Sequence, residues 1–420
     1  MRTLLRTTAV ATTLAIGLCT PAVRAQNNAP KAPAAEKSRT WTVHADQIFT
    51  ANGAAIEGGF ISVVDGKIAA IGPIPSRDRD KEGVLRVAAI TPGLIDLSPN
   101  IDLSQNSVEQ SDEITPHLRV ADALDPYSLS FDRALRSGVT TVLCSPPDEN
   151  VIGGLSVVVK TGGPGSIAKR TVKADAVLRG SFGSQPSRRN SPAFGRSRDF
   201  YNRRPTTRMG VEWEWRKAFY DAVVARQDAE QSFPGVEQLH AVLDGKLPLM
   251  VQAGPTQDVR TAIFLKEEFA IPNLILDQAS EAWKEPDLLV RSGAAVVLPP
   301  FTWNGRVGFD RGFHAWNTAL LLEESGVVFA FSGRDATDRD ERLSVQPGYA
   351  MRGGLSFESA LRAVTITPAR MLGIENRVGS LEVGKDADLV LWSGRPFDFT
   401  SDVVGVMLDG DLVVDPRAAQ

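Results

Sequence analysis

Two strand-like stretches, one near each end of the chain, constrain the organisation of this sequence more than any other feature. WTVHADQIF (41–49) and FISVVDGKIAAIG (60–72) are β-branched runs, with Asp65-Gly66 where a two-residue hairpin turn requires positive φ. The same pattern returns as ADLVLW (387–392) and VGVMLDGDLVV (404–414), again enclosing an Asp-Gly, at 409–410. A hairpin cannot bury its apolar face alone. Strand-rich ends around an interior of different character therefore predict one small composite β-sandwich domain, built from residues 40–90 and 378–416.

The interior alternates short apolar runs with helical stretches. Candidate strands are AAITPGLIDL (88–97), TTVLCS (140–145), LPLMVQA (247–253), NLILDQA (273–279), AAVVLPP (294–300) and VVFAFSG (327–333). Between them, VEWEWRKAFYDAVVAR (211–226) places Trp215, Phe219, Ala222 and Val223 on one helical face. Strand–helix alternation of this length predicts an α/β fold with a parallel sheet, closed as a (β/α)8 TIM-like barrel over residues 91–377. Residues 165–210 stand apart, dense in Lys and Arg, with only Asp175 and Asp199 as acids. They read as a basic insertion, either a solvated cover over the barrel mouth or a lid that attracts an anionic ligand or partner.

Residues 1–25 have the layout of a cleavable secretory signal peptide: Arg2 and Arg6, an apolar stretch from Ala9 to Leu18, then Val23-Arg24-Ala25. The apolar stretch is too short for a membrane span, and no other run approaches that length. Leu18 before Cys19 argues against a lipoprotein signal. The expectation is an exported, periplasmic or secreted protein whose residues 26–39 form a flexible, Pro- and Ala-rich lead-in. Cys144 is then its single cysteine, so no internal disulfide forms. The formal charge of −4 becomes −7 once Arg2, Arg6 and Arg24 are removed, which excludes the overall basic field of most nucleic-acid binders.

Four stretches resemble the amidohydrolase superfamily, and within it the imidazolonepropionase-like branch. They are ITPGLID (90–96); DEITPHLRVADALDP (112–126) followed by GVTTVLCSPPDENVIGG (138–154); PTTRMG (205–210); and TITPARMLGIENRVGSLEVGKDADLVLW (365–392). The resemblance implies a metal-dependent hydrolase of C–N bonds other than peptides, often cyclic amides. One or two divalent ions, zinc or a similar metal, would activate water in the barrel mouth. It also implies a His-x-His after the first strand, a carboxylate or modified Lys further on, single histidines on strands five and six, and an Asp on strand eight.

The sequence departs from that pattern at each matching place. Ser98 and Asn100 stand where the paired histidines are expected, Gln252 and Gln278 replace the next two, and Arg334 takes the Asp position with Asp335 one step on. In FGSQPS (182–187), Ser184 stands for a glutamate of the branch. Neutral amides and hydroxyls are poor zinc donors, and an arginine repels a dication. The remaining histidines, His44, His117, His240 and His314, are unpaired along the sequence and read as surface or core residues. His314 is the one that can approach the barrel mouth.

These substitutions predict a barrel in which side chains have replaced the ion, with no metal and no cofactor. Such a pseudoenzyme would bind a small polar molecule in the old pocket or partner an active paralogue. The resemblance also makes an oligomer possible. The alternative is an active amidohydrolase with an altered or single-metal centre; a third reading is a structural or surface-assembly role using the basic insertion. Asp335, Asp338, Asp340 and Glu341 suggest an oxygen-ligand Mg or Ca site, but the interleaved Arg334, Arg339 and Arg342 favour a solvated ion-pair surface. Ser98 lacks a nearby base to act as a nucleophile, the Gly pairs 153–154 and 162–163 match no phosphate-binding fingerprint, and Asp96 is expected to tie down a strand end.

Overall fold

A computed structural model describes residues 40–78, 84–101, 107–187, 190, 204–301, 312–334 and 342–419. The expected signal peptide and lead-in, and the cluster Asp335 to Glu341, lie outside the described residues. In chain order the strands are β1 (Thr40–Ile48), β2 (Ile56–Val64), β3 (Lys67–Pro73), β4 (Leu85–Pro92), β5 (Leu94–Asp96), β6 (Val139–Cys144), β7 (Ile152–Leu155), β8 (Val157–Lys160) and β9 (Thr171–Lys173). They continue as β10 (Leu178–Ser181), β11 (Leu249–Gln252), β12 (Leu274–Asp277), β13 (Ala295–Leu298), β14 (Phe329–Phe331), β15 (Leu389–Trp392), β16 (Val403–Leu408) and β17 (Asp411–Val414).

The two ends of the chain meet in one seven-stranded sheet, in the order β17-β16-β15-β4-β1-β2-β3. The union is made where β15 lies antiparallel to β4, Leu389 opposite Pro92 and Trp392 opposite Ala89. Both Asp-Gly turns have the positive φ their sequences predict: 48° and 82° at Asp65 and Gly66, 48° and 78° at Asp409 and Gly410. The two turns also touch, because a Cβ on Gly66 would lie 2.9 Å from the Asp409 carbonyl oxygen. The sheet curls until the start of β3 meets the segment leading into β15, with Ile68 N–H donating to Lys385 O and Ala387 N–H to Gly66 O. Both faces of the expected sandwich thus belong to one sheet. It encloses Val43, Ile61, Val63, Ile68, Ile90, Leu389, Leu391 and Met407.

The barrel strands fall into two sheets, β14-β13-β12-β11-β10-β7 and β5-β6-β8-β9. Residues 152–160 join them. β7 pairs antiparallel with β10, and β8, one residue further on, pairs antiparallel with β6. Neighbours from β10 through β14 and between β5 and β6 are parallel, while β9 pairs antiparallel with β8. An antiparallel segment between β6 and β10 therefore departs from a strict (β/α)8 pattern. At the other seam, between β14 and β5, Ser332 Oγ donates to Ser98 O at 2.6 Å and Gly333 N–H to Asp96 Oδ2 at 2.9 Å.

The basic segment 165–210 needs correcting. β9 and β10 lie within it, and β10 is an interior barrel strand with all four residues buried. Its Lys and Arg count hid a strand, because LRGS is too short and too interrupted to show periodicity. At the segment's end a 20-residue helix begins at Arg208, capped by Thr207 Oγ1 accepting from Gly210 N–H at 3.1 Å. Its buried face carries Trp215, Phe219 and Ala222 as expected, but Val211 and Ala218 complete it. Val223 is 37% exposed, since the packed stripe drifts away from its side of the helix. Among the described residues, no helix is long and apolar enough to cross a membrane.

Candidate functional site

Parallel strands place their C-terminal ends at one mouth of the barrel, and period-2 alternation decides which side chains point inward there. On β12 the last residue, Asp277, is fully buried; on β10, Arg179 is 1% exposed. A charge this deep requires a partner of opposite sign. Arg179 Nε and Nη2 donate to Asp148 Oδ1 at 3.0 and 2.7 Å, and Nη2 also donates to Asp277 Oδ2 at 2.6 Å. Ser98 Oγ donates to the same Asp277 oxygen at 2.9 Å. Arg334 closes the network from the strand-eight side, its Nη2 lying 3.1 Å from Asp148 Oδ2.

Two guanidinium groups here face two carboxylates. Burial pushes the Asp148 carboxyl up, but Arg179 and Arg334 outweigh it and hold the group below the usual carboxylate range. Burial likewise works against the Arg179 charge, and Asp148 and Asp277 overcome it, raising its pKa. The Arg179–Asp148 pair is therefore charged at neutral pH.

The places singled out from the sequence divide in two. Ser98, Gln278 and Arg334 are linked around this network: Gln278 Nε2 donates to Arg334 O at 3.2 Å from a residue held at a φ of 55°. Gln252 lies beside it, in register with Asp277 across β11 and β12, its Oε1 accepting from Ser181 Oγ at 2.9 Å. Ser184 is in the turn after β10, its hydroxyl buried without a partner among the described residues. Asn100 lines a small cleft with Ser130 and Leu343. Asp335 lies outside the described residues. Asp96 ties down the strand end, accepting from Ser98 N–H and Gly333 N–H, both at 2.9 Å.

The sequence reading did not select Arg179, Asp148 or Asp277. A signal for two of them was present: a single charge inside an otherwise apolar strand, in VLRGS and in LILDQ. Such a charge is buried only with a partner.

His117 is exposed, His44 is buried in β1, and His240 Nε2 is 2.7 Å from Ala222 O on the neighbouring helix. His314 is buried and stacks on Phe301, centroids 4.4 Å apart. Burial lowers its pKa from 6.5 to about 4. The folded chain therefore binds this proton less readily than the unfolded chain, and the stability it supplies, present above pH 6.5, is lost as pH falls toward 4. The shift corresponds to about 3 kcal/mol. Denaturant titrations from pH 7 to 4 are expected to show a shallower decline for His314→Phe than for the parent; parallel curves would refute the assignment.

The residues present do not fit the zinc-type ion that the resemblance implies. Among the described residues, no three His, Cys, Asp or Glu side chains are grouped as ligands. Asp148 and Asp277 are both engaged by Arg179. Ser98, Gln252 and Gln278 offer hydroxyl and amide oxygens, which zinc binds poorly.

Comparison with known proteins agrees with this architecture. Residues 321–413 match the model of the amidohydrolase family. The chain is similar to the amidohydrolase tasK of Hapsidospora irregularis, 25% identical over 86% of this chain and 39% of that protein. It is 48% identical to the imidazolonepropionase of Thermoplasma acidophilum over 27% of this chain and 26% of the relative. It thus spans well under half of each of these relatives. Among solved structures, an amidohydrolase from Thermotoga maritima superposes with a TM-score of 0.76 at 28% identity, covering 89% of this chain and 99% of that one.

Proposed function

The chain belongs to the amidohydrolase superfamily, and from that premise we propose that it is a member that binds a small polar molecule without metal-dependent hydrolysis, its barrel mouth held by an internal ion pair. Hydrolysis of a C–N bond at neutral pH needs a group that activates water and one that polarises the carbonyl. The observation that carries the reading is the Arg179–Asp148–Asp277 pairing: a charge-matched network joined to Ser98, where the resemblance expects a metal-binding histidine. The buried Gln278 Oε1 and Ser184 Oγ, without hydrogen-bond partners among the described residues, provide an acceptor and a hydroxyl for a polar ligand. The N-terminal pattern Arg2 to Ala25 supports export to the periplasm or medium.

The deciding experiment is the metal content of the purified protein, by plasma mass spectrometry after growth with added zinc and manganese. Metal far below one equivalent is expected. A stoichiometric ion surviving dialysis would overturn this reading in favour of an active amidohydrolase with an altered centre, to be followed by assays on amides and lactams.

A further inference from the structure

Resting on the metal-free reading, a second question concerns what Arg179 does for the two carboxylates. Asp148 comes from the loop after β6 and Asp277 from the end of β12, and both are buried. One nitrogen, Nη2, is shared between them, 2.7 Å from Asp148 Oδ1 and 2.6 Å from Asp277 Oδ2. A cation bridging carboxylates from separate elements is the arrangement a bound metal ion provides. Arg334 also pairs with Asp148, its Nη2 3.1 Å from Oδ2, but from a more exposed position. We propose that Arg179 is a covalently tethered cation standing in for a divalent ion, and that the site it fills accepts a free hard cation once the guanidinium is removed.

The donor chemistry defines which cation. Around the guanidinium are the two carboxylates, the Ser98 hydroxyl on Asp277, and a second Asp277 oxygen, Oδ1, with no hydrogen-bond partner among the described residues. Every one of these is an oxygen donor. An all-oxygen set suits Mn2+, Ca2+ or Mg2+. A planar guanidinium also satisfies the geometry, so free guanidinium ion should fill the same space. A tethered cation cannot be stripped by a chelator, so the native barrel keeps its charge balance at any metal concentration.

The test compares the parent chain with Arg179→Ala and Arg179→Gln, each unfolded thermally in chelator and with millimolar Mn2+, Ca2+, Zn2+ or guanidinium chloride. Binding of Mn2+ is followed directly by titration calorimetry and spin resonance. The parent is expected to melt at the same temperature throughout. Both variants should melt lower in chelator and recover at least half the loss with Mn2+, Ca2+ or guanidinium. They should bind roughly one equivalent of Mn2+. Adding Asp277→Asn should remove the response. Should Arg179→Ala fail to fold, recovery when it is refolded with guanidinium or Mn2+ supports the proposal, and failure under all conditions counts against it unless Arg179→Gln responds. Variants that fold but ignore every cation overturn it, while the metal-free reading stands. A stoichiometric metal in the parent instead overturns that reading.

Discussion

Replacing Lys160 with methionine is expected to lower the free energy of unfolding by about 3–5 kcal/mol, because it leaves a buried carboxylate without its cation. The Lys160 side chain, on barrel strand β8, is only 3% exposed. Its ammonium contacts Asp388 directly and lies 3.2 Å from both Asp386 Oδ2 and Asp409 Oδ1. All three aspartates belong to the returning C-terminal segment, so one lysine joins the barrel to the composite sheet. Asp386 has other cations, Lys67 and Arg377, but the buried Asp388 depends on Lys160 and the Asp409 N–H. Burial raises the Asp388 pKa despite Lys160, which marks it as the group that suffers most from the loss. The Lys160 pKa is itself raised: burial lowers it, and Asp388, Asp409 and Asp386 prevail. Its contribution is thus complete at neutral pH and falls away only as pH rises through that elevated value. Denaturant unfolding of Lys160→Met and of Lys160→Met with Asp388→Asn tests this. The double variant should recover about half the loss by removing the orphaned charge. A single variant within about 1 kcal/mol of the parent would rule out this role.

Gly93→Val is expected to be comparably damaging, costing about 3 kcal/mol or preventing folding, through overpacking rather than charge. Gly93 lies in ITPGLID, between β4 of the sheet and β5 of the barrel. A Cβ there would lie 2.0 Å from Thr140 Oγ1 and 2.6 Å from its Cγ2, on the neighbouring strand β6. Thr140 is 1% exposed, so its rotation is confined. The backbone cannot move aside freely either, because Gly93 N–H donates to Asp388 O at 2.9 Å and Leu94 N–H to Gly138 O at 3.0 Å. The check is a thermal melt of Gly93→Ala alone and with Thr140→Ala. The second change removes the two closest clashing atoms and should return part of the stability; an unchanged melt for Gly93→Ala alone would defeat the argument.

Much of the candidate site was readable as positions and little of it as interactions. Ser98, Gln278 and Arg334 stood out because each occupies a place where the family resemblance expects another residue, and the structure links all three. The charges around them did not stand out. Arg179 was absorbed into the count of a basic segment, and Asp277 passed as part of a strand beside the more conspicuous Gln278. Neither residue has a partner close in sequence: Ser98 and Asp277 are 179 positions apart, and Arg179 and Asp277 are 98 apart. Composition averages over neighbours in the chain, whereas a buried ion pair is a property of neighbours in space.

The sequence by itself determined the features governed by local backbone chemistry. The two Asp-Gly turns follow from the few residues that tolerate positive φ, and most barrel strands from runs of apolar side chains long enough to be buried. Strands β7, β8 and β10 escaped, being four residues long and carrying glycines or charges. Only the tertiary structure decided that residues 152–160 run antiparallel to both neighbours, that Lys160 holds Asp388 across 228 positions, and that a guanidinium occupies the barrel mouth. In each case the chain could bury a polar or charged group only where a distant segment supplied its partner, and that supply exists only once the barrel and the sheet have closed.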